Sequence, residues 1–479
     1  MIALTAAEIA AATGGEVRAV GHGPLVVSGA VVTDSRDVEP GGLFVALPGE
    51  HVDGHDYAAT AVAAGAALVL AAHPVHAADG SELPAVVVED VERALGDLAR
   101  DVLERLREAG QAPGGSGLRV IGVTGSVGKT TTKDLLAQLC GAAGPTIAPV
   151  RSFNNEIGLP LTVLRADEST RFLVLEMGAS GPGHLDYLTR IAPPDVAVVL
   201  VVGQAHLGGF GGIDAVARAK SEIVQGLVSD GVAVLNADDP RVSAMASLAP
   251  GEVVLFGAAP SSDVRAADVD MDRAGRARFT LVTADGEARV ELRLVGEHHV
   301  HNALAAAAAA LAVGLTLDEV AAGLTAADAL SPHRMHVVDR ADGVTIIDDS
   351  YNANPDSMRA ALKALAVLAG RDRRSIAVLG EMLELGPESR EAHDALGTLV
   401  VRLNIGLTVV VGEGARGIRD GANREGSWGD EVVLVDDLEN ARLLLEHELR
   451  AGDVVLVKSS YGAGLWQLGD LLVEGGGAA

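Results

Sequence analysis

The chain has 479 residues, and at roughly 150 residues per domain that length predicts about three domains, not one small binding module. Hydrophobic residues make up 48% and charged residues 21%, enough apolar material for large cores and far from a disordered composition. Lys and Arg number 37 against 65 Asp and Glu, a net charge of −28 that excludes nucleic acid and anionic membrane surfaces as expected partners and requires any anionic ligand to be held by local structure.

Cys140 is the only cysteine, which excludes an internal disulfide framework and a cysteine zinc cluster and fits a reducing, cytoplasmic location. The first residues carry an early acid and no basic segment, and apolar runs such as 196–202 are far too short to span a bilayer. Neither export nor membrane insertion is expected.

In chain order, the first hundred residues alternate apolar stretches (43–47, 66–70) with turns and Ala-rich helical segments, an α/β pattern. The segment Q-A-P-G-G-S-G at 111–117 marks a boundary before a strong strand. From 118 onward strand-like runs alternate with helices, as in a parallel sheet with covering helices. An interruption at 262–294 reads as an antiparallel appendage around an Asp-Gly turn. An Ala-rich helix near 300–313 and the hinge S-P-H-R at 331–334 close this region, and the remainder reads as an open, doubly wound sheet. The expected organisation is a three-domain α/β protein: a small N-terminal α/β domain (1–115), a central P-loop parallel-sheet domain with the appendage (116–331) and a C-terminal Rossmann-like domain (332–479).

The sharpest local signal is a strand running into Gly125-Ser126-Val127-Gly128-Lys129-Thr130-Thr131 and then a helix. Gly125 and Gly128 let backbone amides face phosphate oxygens at a helix N-terminus, Lys129 can reach the terminal phosphates, and Thr130 can place a hydroxyl on Mg²⁺. The loop uses the shorter G-x-x-G-K-T spacing and implies a bound nucleoside triphosphate. Later strands of the same sheet end near it. One ends in Glu176, another leads into His206; either can orient Mg²⁺, or cap a helix or pack in a loop.

Lys220 continues the apolar stripe of Ile213, Val216, Ile223, Val224 and Leu227. The pattern alone favours a lysine that buries its stem and snorkels its ammonium to the rim; the alternative is an interior lysine with a depressed pKa, available for carbamylation. Asn236-Ala237-Asp238-Asp239-Pro240 reads as a Walker-B-like strand end or as turn and cap chemistry. The histidines at 298, 299 and 301 lack converging cysteines and open a helix, which disfavours a transition-metal site. The run 348–355, with its dense polar groups, is a ligand edge or an N-cap.

Together these segments resemble the ATP-dependent Mur ligases of peptidoglycan synthesis over nearly the whole chain. The resemblance is carried by T-D-S-R (33–36), L-F-V-A-L-P-G-E-H-V-D-G-H-D-Y (43–57), T-G-S-V-G-K-T-T-T (124–132), F-N-N-E-I-G-L-P-L-T (153–162), L-E-M-G-A-S (175–180), A-H-L-G-G-F-G (205–211), A-K-S-E-I (219–223), H-N-A-L-A-A (301–306), H-R-M (333–335) and D-D-S-Y-N-A-N-P-D-S-M (348–358). It implies a ligase that phosphorylates the terminal carboxylate of UDP-N-acetylmuramoyl-tripeptide with ATP and joins the acyl phosphate to D-alanyl-D-alanine, releasing ADP and phosphate. The three domains would hold the UDP-sugar, ATP and the incoming dipeptide in turn, in a monomer.

By the same resemblance Lys129, Lys220 and His206 are catalytic, and residues 125–131 with Asn302, Arg334 and Asp349 bind ATP. Thr130, Glu176, His206 and a carbamylated Lys220 would hold Mg²⁺, as two ions. Ser35, Arg36 and His55 match the UDP end, Asn154 and Asn155 the sugar-peptide path, and Asn352 and Asn354 the substrate edge of the last domain. The block expected to read K-G-S-R is Lys458-Ser459-Ser460-Tyr461-Gly462 here, so no arginine contact is carried over at that point. A ligase adding a diamino acid to UDP-N-acetylmuramoyl-dipeptide, the nearest rival, would carry D-N-P-R, which is absent. Folylpolyglutamate synthetase and a P-loop protein that uses ATP to switch partner binding are the other readings.

Overall fold

The structure, a computed structural model, describes residues 1–19, 24–49, 52–111, 117–150, 152–203, 212–426 and 431–475. Its strands form three main sheets, each confined to one stretch of the chain. In the first, the strands run in the order Glu16–Arg18, Ala85–Val87, Leu68–Ala71, Leu43–Val45, Val31–Val32. All pair in parallel except the antiparallel edge Glu16–Arg18. A short ribbon of Leu4–Thr5 with Val26–Val27 adjoins it.

The helix Val91–Gln111 buries Val91, Ala94, Leu95, Leu98, Ala99, Val102, Leu103 and Leu106, a 3-4 repeat that produces one continuous apolar face. That face is not private to the first sheet. Its leucines share one core with Leu4, Ile9 and Leu68 on one side and with Leu159, Val163 and Leu188 on the other. The N-terminal unit is therefore docked on the middle one through a dry apolar contact.

The middle sheet has nine strands in the order Gly286–Val295, Arg276–Thr283, Val264–Met271, Glu252–Gly257, Val232–Asn236, Val196–Val199, Arg119–Thr124, Phe172–Glu176, Thr146–Ile147. The expected antiparallel segment is present and is continuous with this sheet. Val264–Met271 pairs parallel to Glu252–Gly257, and two further antiparallel strands extend the same sheet. The reason lies in period-2 burial: Ala277, Phe279 and Leu281 alternate with more exposed neighbours and join the core beneath the helix His299–Ala312. That helix is buried along nearly its whole length through alanines, whose small side chains let it lie close to both the sheet and the helix Lys129–Ala143.

The last sheet runs His336–Asp339, Thr345–Asp348, Val454–Lys458, Ser375–Leu379, Leu407–Val411, Val432–Val435. It is parallel except for its first strand, with apolar clusters on both faces, as a doubly wound sheet requires. Among the described residues no helix is long and apolar enough to cross a membrane.

The linker between the second and third units is tied to one face of the helix Lys129–Ala143. Gln138 bonds both the carbonyl (3.0 Å) and the amide (3.0 Å) of Asp328, and Asp134 accepts the Ser331 amide at 3.1 Å. Asp134 is itself held by the buried Lys133. Beyond this anchor His333 and Met335 take left-handed backbone angles (φ 57° and 50°) on either side of Arg334.

The shared core makes a direct prediction. Leu103 is 1% exposed, and Leu103→Ala is expected to cost ~3 kcal/mol and to lower the denaturant midpoint of the first and middle units together. Two resolved transitions of which only one moves would show that the two cores are independent.

Candidate active site

Parallel pairing places Arg119–Thr124 between Phe172–Glu176 and Val196–Val199, with Glu176 opposite Val123 and Val199 opposite Thr124. The carboxyl ends of these strands open into a cavity of about 740 Å³. Its floor is the glycine loop. At Gly128 φ is 85°, and a Cβ would lie 2.4 Å from Asn302 Oδ1, so both backbone and space demand glycine. Ser126 ties the loop to the neighbouring strand end, donating its amide to Val201 O (2.9 Å) and accepting the Gly203 amide (2.9 Å). Lys129 Nζ folds back to donate to Gly125 O at 2.8 Å. Desolvation lowers its pKa; Glu176 opposes that shift and Arg334 adds to it.

Glu176 is 1% exposed. Its carboxylate accepts Thr130 Oγ1 at 3.0 Å on one oxygen and Asn154 Nδ2 at 2.8 Å on the other. Neighbouring oxygens on octahedral Mg²⁺ stand about 2.9 Å apart, so the Thr130–Glu176 oxygen pair fits two adjacent positions on that ion. The donors are hard oxygens, as Mg²⁺ prefers.

Lys220 lies on the helix Ile213–Gln225 with Ala215, Val216, Ala219, Ile223 and Val224 on its buried face. It is 5% exposed and lines the cavity. Snorkelling is thus overturned: the rim of this helix face is the cavity wall, not bulk solvent. Burial, with Lys129 adding repulsion, pushes its pKa down to about 7, and among the described residues no carboxylate forms an ion pair with it.

The third unit supplies the opposite wall. Arg334 lies over the Tyr351 ring (4.3 Å) and donates to Ser152 Oγ at 3.3 Å. Asp349 accepts the Met335 amide (3.1 Å) and the Lys458 ammonium (2.6 Å). Asn354 caps the helix Pro355–Ala369 in a capping box with Ser357. Asn352 offers its carbonyl to Lys458 at 2.9 Å.

The structure therefore gathers residues 125–131, Asn154, Asn155, Glu176, Lys220, Asn302, Arg334, Asp349, Asn352 and Asn354 around one cavity. His206, with the whole block 205–211, lies outside the described residues. Ser35, Arg36 and His55 do not line this cavity. Arg36 is turned back onto Asp34. His55 accepts the Ala72 amide on Nε2 (2.8 Å) and places Nδ1 2.6 Å from Asp53, so both ring nitrogens are engaged inside the first unit.

The Walker-B-like segment resolves as cap chemistry, because Asp239 accepts the amides of Arg241 and Val242 at a helix start and that of Val202. His298 and His299 form a tilted pair 4.1 Å apart, buried enough to push the His298 pKa down to about 4. Sequence reasoning missed Ser152, named Lys458 only as the first residue of the block 458–462, and held Tyr351 only within the run 348–355. Lys458 had a usable signal, since it ends a parallel strand of the last sheet; Ser152 had none.

Family models described as Mur ligase middle domain, glutamate ligase domain and catalytic domain match residues 123–310, 333–461 and 29–102. The UDP-N-acetylmuramoyl-tripeptide--D-alanyl-D-alanine ligase of Mycobacterium tuberculosis is 48% identical over 99% of this chain and 98% of its own. The chain belongs to the Mur ligase family. A crystal structure of MurF from Acinetobacter baumannii, 32% identical, covers 98% of this chain and 99% of its own with a TM-score of 0.85. MurF ligase from Thermotoga maritima in complex with ADP, 30% identical, covers 94% and 98% with a TM-score of 0.76. This Mur ligase thus divides into α/β units around a shared cavity.

The Lys220 environment predicts a pH-dependent stability. Its folded pKa of about 7 lies below the ordinary lysine value of 10.5, so between those values the unfolded chain binds more protons and stability rises with pH. The penalty is full below about pH 7 and relieved above it. In ligand-free protein kept free of CO₂, Lys220→Met should be more stable than the parent at pH 6, with an advantage up to about 3 kcal/mol smaller at pH 9. Equal denaturant midpoints at pH 6 would contradict the burial of a free ammonium.

Proposed function

We propose that this chain joins D-alanyl-D-alanine to the terminal carboxylate of UDP-N-acetylmuramoyl-tripeptide at the expense of ATP, with residues 1–115 holding the UDP-sugar, 116–331 the ATP and 332–479 the incoming dipeptide. The observation that carries the reading is the split cavity: the glycine loop, Glu176 and Lys220 on one side face Arg334, Asp349 and Asn352 on the other. The 48% identity to the Mycobacterium tuberculosis ligase over nearly both full lengths supports the choice of substrates.

ATP would lie with its phosphates on the amides of 125–130. Lys129 exchanges Gly125 O for a phosphate oxygen, a stronger, charge-assisted partner. Thr130, Glu176, His206 and a carbamylated Lys220 would hold two Mg²⁺ ions between them; when bound, these ions would neutralise charge on the phosphoryl group in flight. Lys220 suits carbamylation because an amine with a pKa near 7 is largely neutral at physiological pH. Its nitrogen lone pair adds to the carbon of CO₂, one N–H proton leaves to water, and an anion replaces a costly buried cation.

In the main reaction a carboxylate oxygen of the tripeptide attacks the γ-phosphorus and ADP leaves. The neutral amine of the dipeptide attacks the acyl carbon, the tetrahedral intermediate collapses as phosphate departs with the electrons of the C–O bond, and the proton lost from the nitrogen goes to the departing phosphate or water, leaving the amide. Arg334 and Asp349 come from the third unit, so nucleotide binding draws that unit onto the second. Such closure keeps water from the acyl phosphate. The reaction belongs in the cytoplasm, where ATP and UDP-sugars are made.

The test is phosphate release from ATP and Mg²⁺ with UDP-N-acetylmuramoyl-tripeptide, comparing D-alanyl-D-alanine, free diamino acids and no amine. Release that requires the dipeptide, with the mass gain of its condensation, is the expected outcome. Release only with the UDP-dipeptide and a diamino acid would move the chain one step earlier, and no release with any pair would reopen the ATP-switch reading. Lys129→Met should lower turnover at least about a hundredfold without unfolding the chain. Lys220→Ala should do the same, and the parent should lose activity in CO₂-depleted buffer; bicarbonate-independent activity in Lys220→Ala would sink the carbamate.

A further inference from the structure

Among the described residues four carboxylates line the cavity: Glu156, Glu176, Asp349 and Asp356. Three of them are engaged. Glu176 accepts Thr130 and Asn154, Asp349 accepts Lys458, and Glu156 lies 2.8 Å from His184 Nε2. Asp356 is held on one oxygen only. It stands in the first turn of the helix Pro355–Ala369, on the third unit, and Arg359, one turn further on, donates to its Oδ1 at 3.0 Å. Among the described residues no hydrogen bond or ion pair is made to its Oδ2.

An acid in the first turn of a helix meets the positive end of the dipole. That accounts for the residue type and for the Arg359 pair, but not for the place of Oδ2. This oxygen reaches the second unit: a Cβ on Gly203 would stand 2.7 Å from it and 3.4 Å from Ser126 Cβ. The Gly203 amide in turn donates to Ser126 Oγ at 2.9 Å. The Asp356 carboxylate therefore sits beside the glycine loop, at a point where only a residue without a side chain leaves room for it. A carboxylate so placed repels any phosphate on that loop unless a cation comes between them. The cations of the cavity wall are otherwise occupied: Lys129 donates to Gly125 O, Lys458 pairs with Asp349, and Arg334 lies over Tyr351.

We propose that Asp356 receives the α-ammonium of the incoming dipeptide and holds that nitrogen beside the glycine loop, where the acyl phosphate forms. This rests on the ligase reading above and names a residue for it. The carboxylate belongs to the unit assigned to the dipeptide, and a charge-assisted N–H···O bond needs only the oxygen that Arg359 leaves. The ammonium gives one proton to water, the neutral amine keeps an N–H on Oδ2, and its lone pair is left to attack the acyl carbon. Third-unit docking and amine placement are then one event, because the same side chain takes part in both.

The experiment follows phosphate release by the full chain with ATP, Mg²⁺ and UDP-N-acetylmuramoyl-tripeptide, varying D-alanyl-D-alanine and using propionyl-D-alanine as a competitive inhibitor. The inhibitor is the same dipeptide with hydrogen in place of the ammonium. In the parent its Ki should exceed the dipeptide KM by about tenfold or more. Asp356→Asn is isosteric at a side chain 39% exposed, so the denaturant midpoint should stay near the parent's. In this variant the dipeptide KM should rise about ten- to hundredfold, the worth of one hydrogen bond between charged groups. The Ki of propionyl-D-alanine, the KM of ATP and the Mg²⁺ requirement should stay within about twofold. A parental dipeptide KM in Asp356→Asn overturns the proposal, as does a Ki that rises by the same factor as KM. A raised Mg²⁺ requirement with an unchanged dipeptide KM overturns it in favour of a metal contact. Propionyl-D-alanine binding the parent as tightly as the dipeptide overturns it without any variant. If the parent releases no phosphate with any amine, the ligase reading fails, and this inference with it.

Discussion

A carboxylate buried to 1% exposure, Glu176, is the constraint around which the cavity is arranged. An anion removed from water must be compensated where it stands. Here the compensation comes from Thr130 and Asn154, one on the helix after the glycine loop and the other on the loop beyond that helix. Because Asn154 also accepts the Gly178 amide through its carbonyl at 2.8 Å, one carboxylate orders the loops on both sides of its own strand. None of this would meet if Phe172–Glu176 were not the immediate parallel neighbour of Arg119–Thr124.

The cavity also reconciles an acidic protein with anionic ligands. A net charge of −28 repels phosphates at long range, but screening at physiological salt confines that field to about 8 Å. At shorter range Lys129, Lys220, Lys458 and Arg334 all line one cavity. Each desolvated lysine meets the cost differently. Lys458 is paired with Asp349 at 2.6 Å, Lys129 faces Glu176, and Lys220 has its pKa pushed down to about 7. Burial lowers the pKa of all three, and they differ in how far a neighbouring carboxylate opposes that shift.

Mechanically the molecule divides unevenly. The first and second units share one apolar core through the helix Val91–Gln111. The third unit is joined through a linker anchored at Asp328 and Ser331 and then through two residues in left-handed conformation flanking Arg334. Left-handed angles at non-glycine residues are held only where the surroundings over-determine them, and His333 is held by its 2.6 Å contact to Asp348. The arginine that reaches across the cavity thus sits at the point where the two bodies meet.

Much of this was legible in the chain by itself. The glycine loop, the α/β alternation, the strand-end acid Glu176 and the misplaced Lys220 all announce themselves within a few residues, because periodicity, turns and caps are local physics. Ordered family blocks supplied the reaction. What tertiary structure alone decided are the encounters between distant residues: Lys458 with Asp349, Ser152 with Thr130 and Arg334, the linker amides with Asp134 and Gln138. The same holds for choices between competing local readings, such as Asp239 as a cap and Lys220 as cavity wall. Those outcomes depend on which strands become neighbours and which helix face meets a cavity, and such pairings are settled by packing of the whole chain, not by the spacing of residues along it.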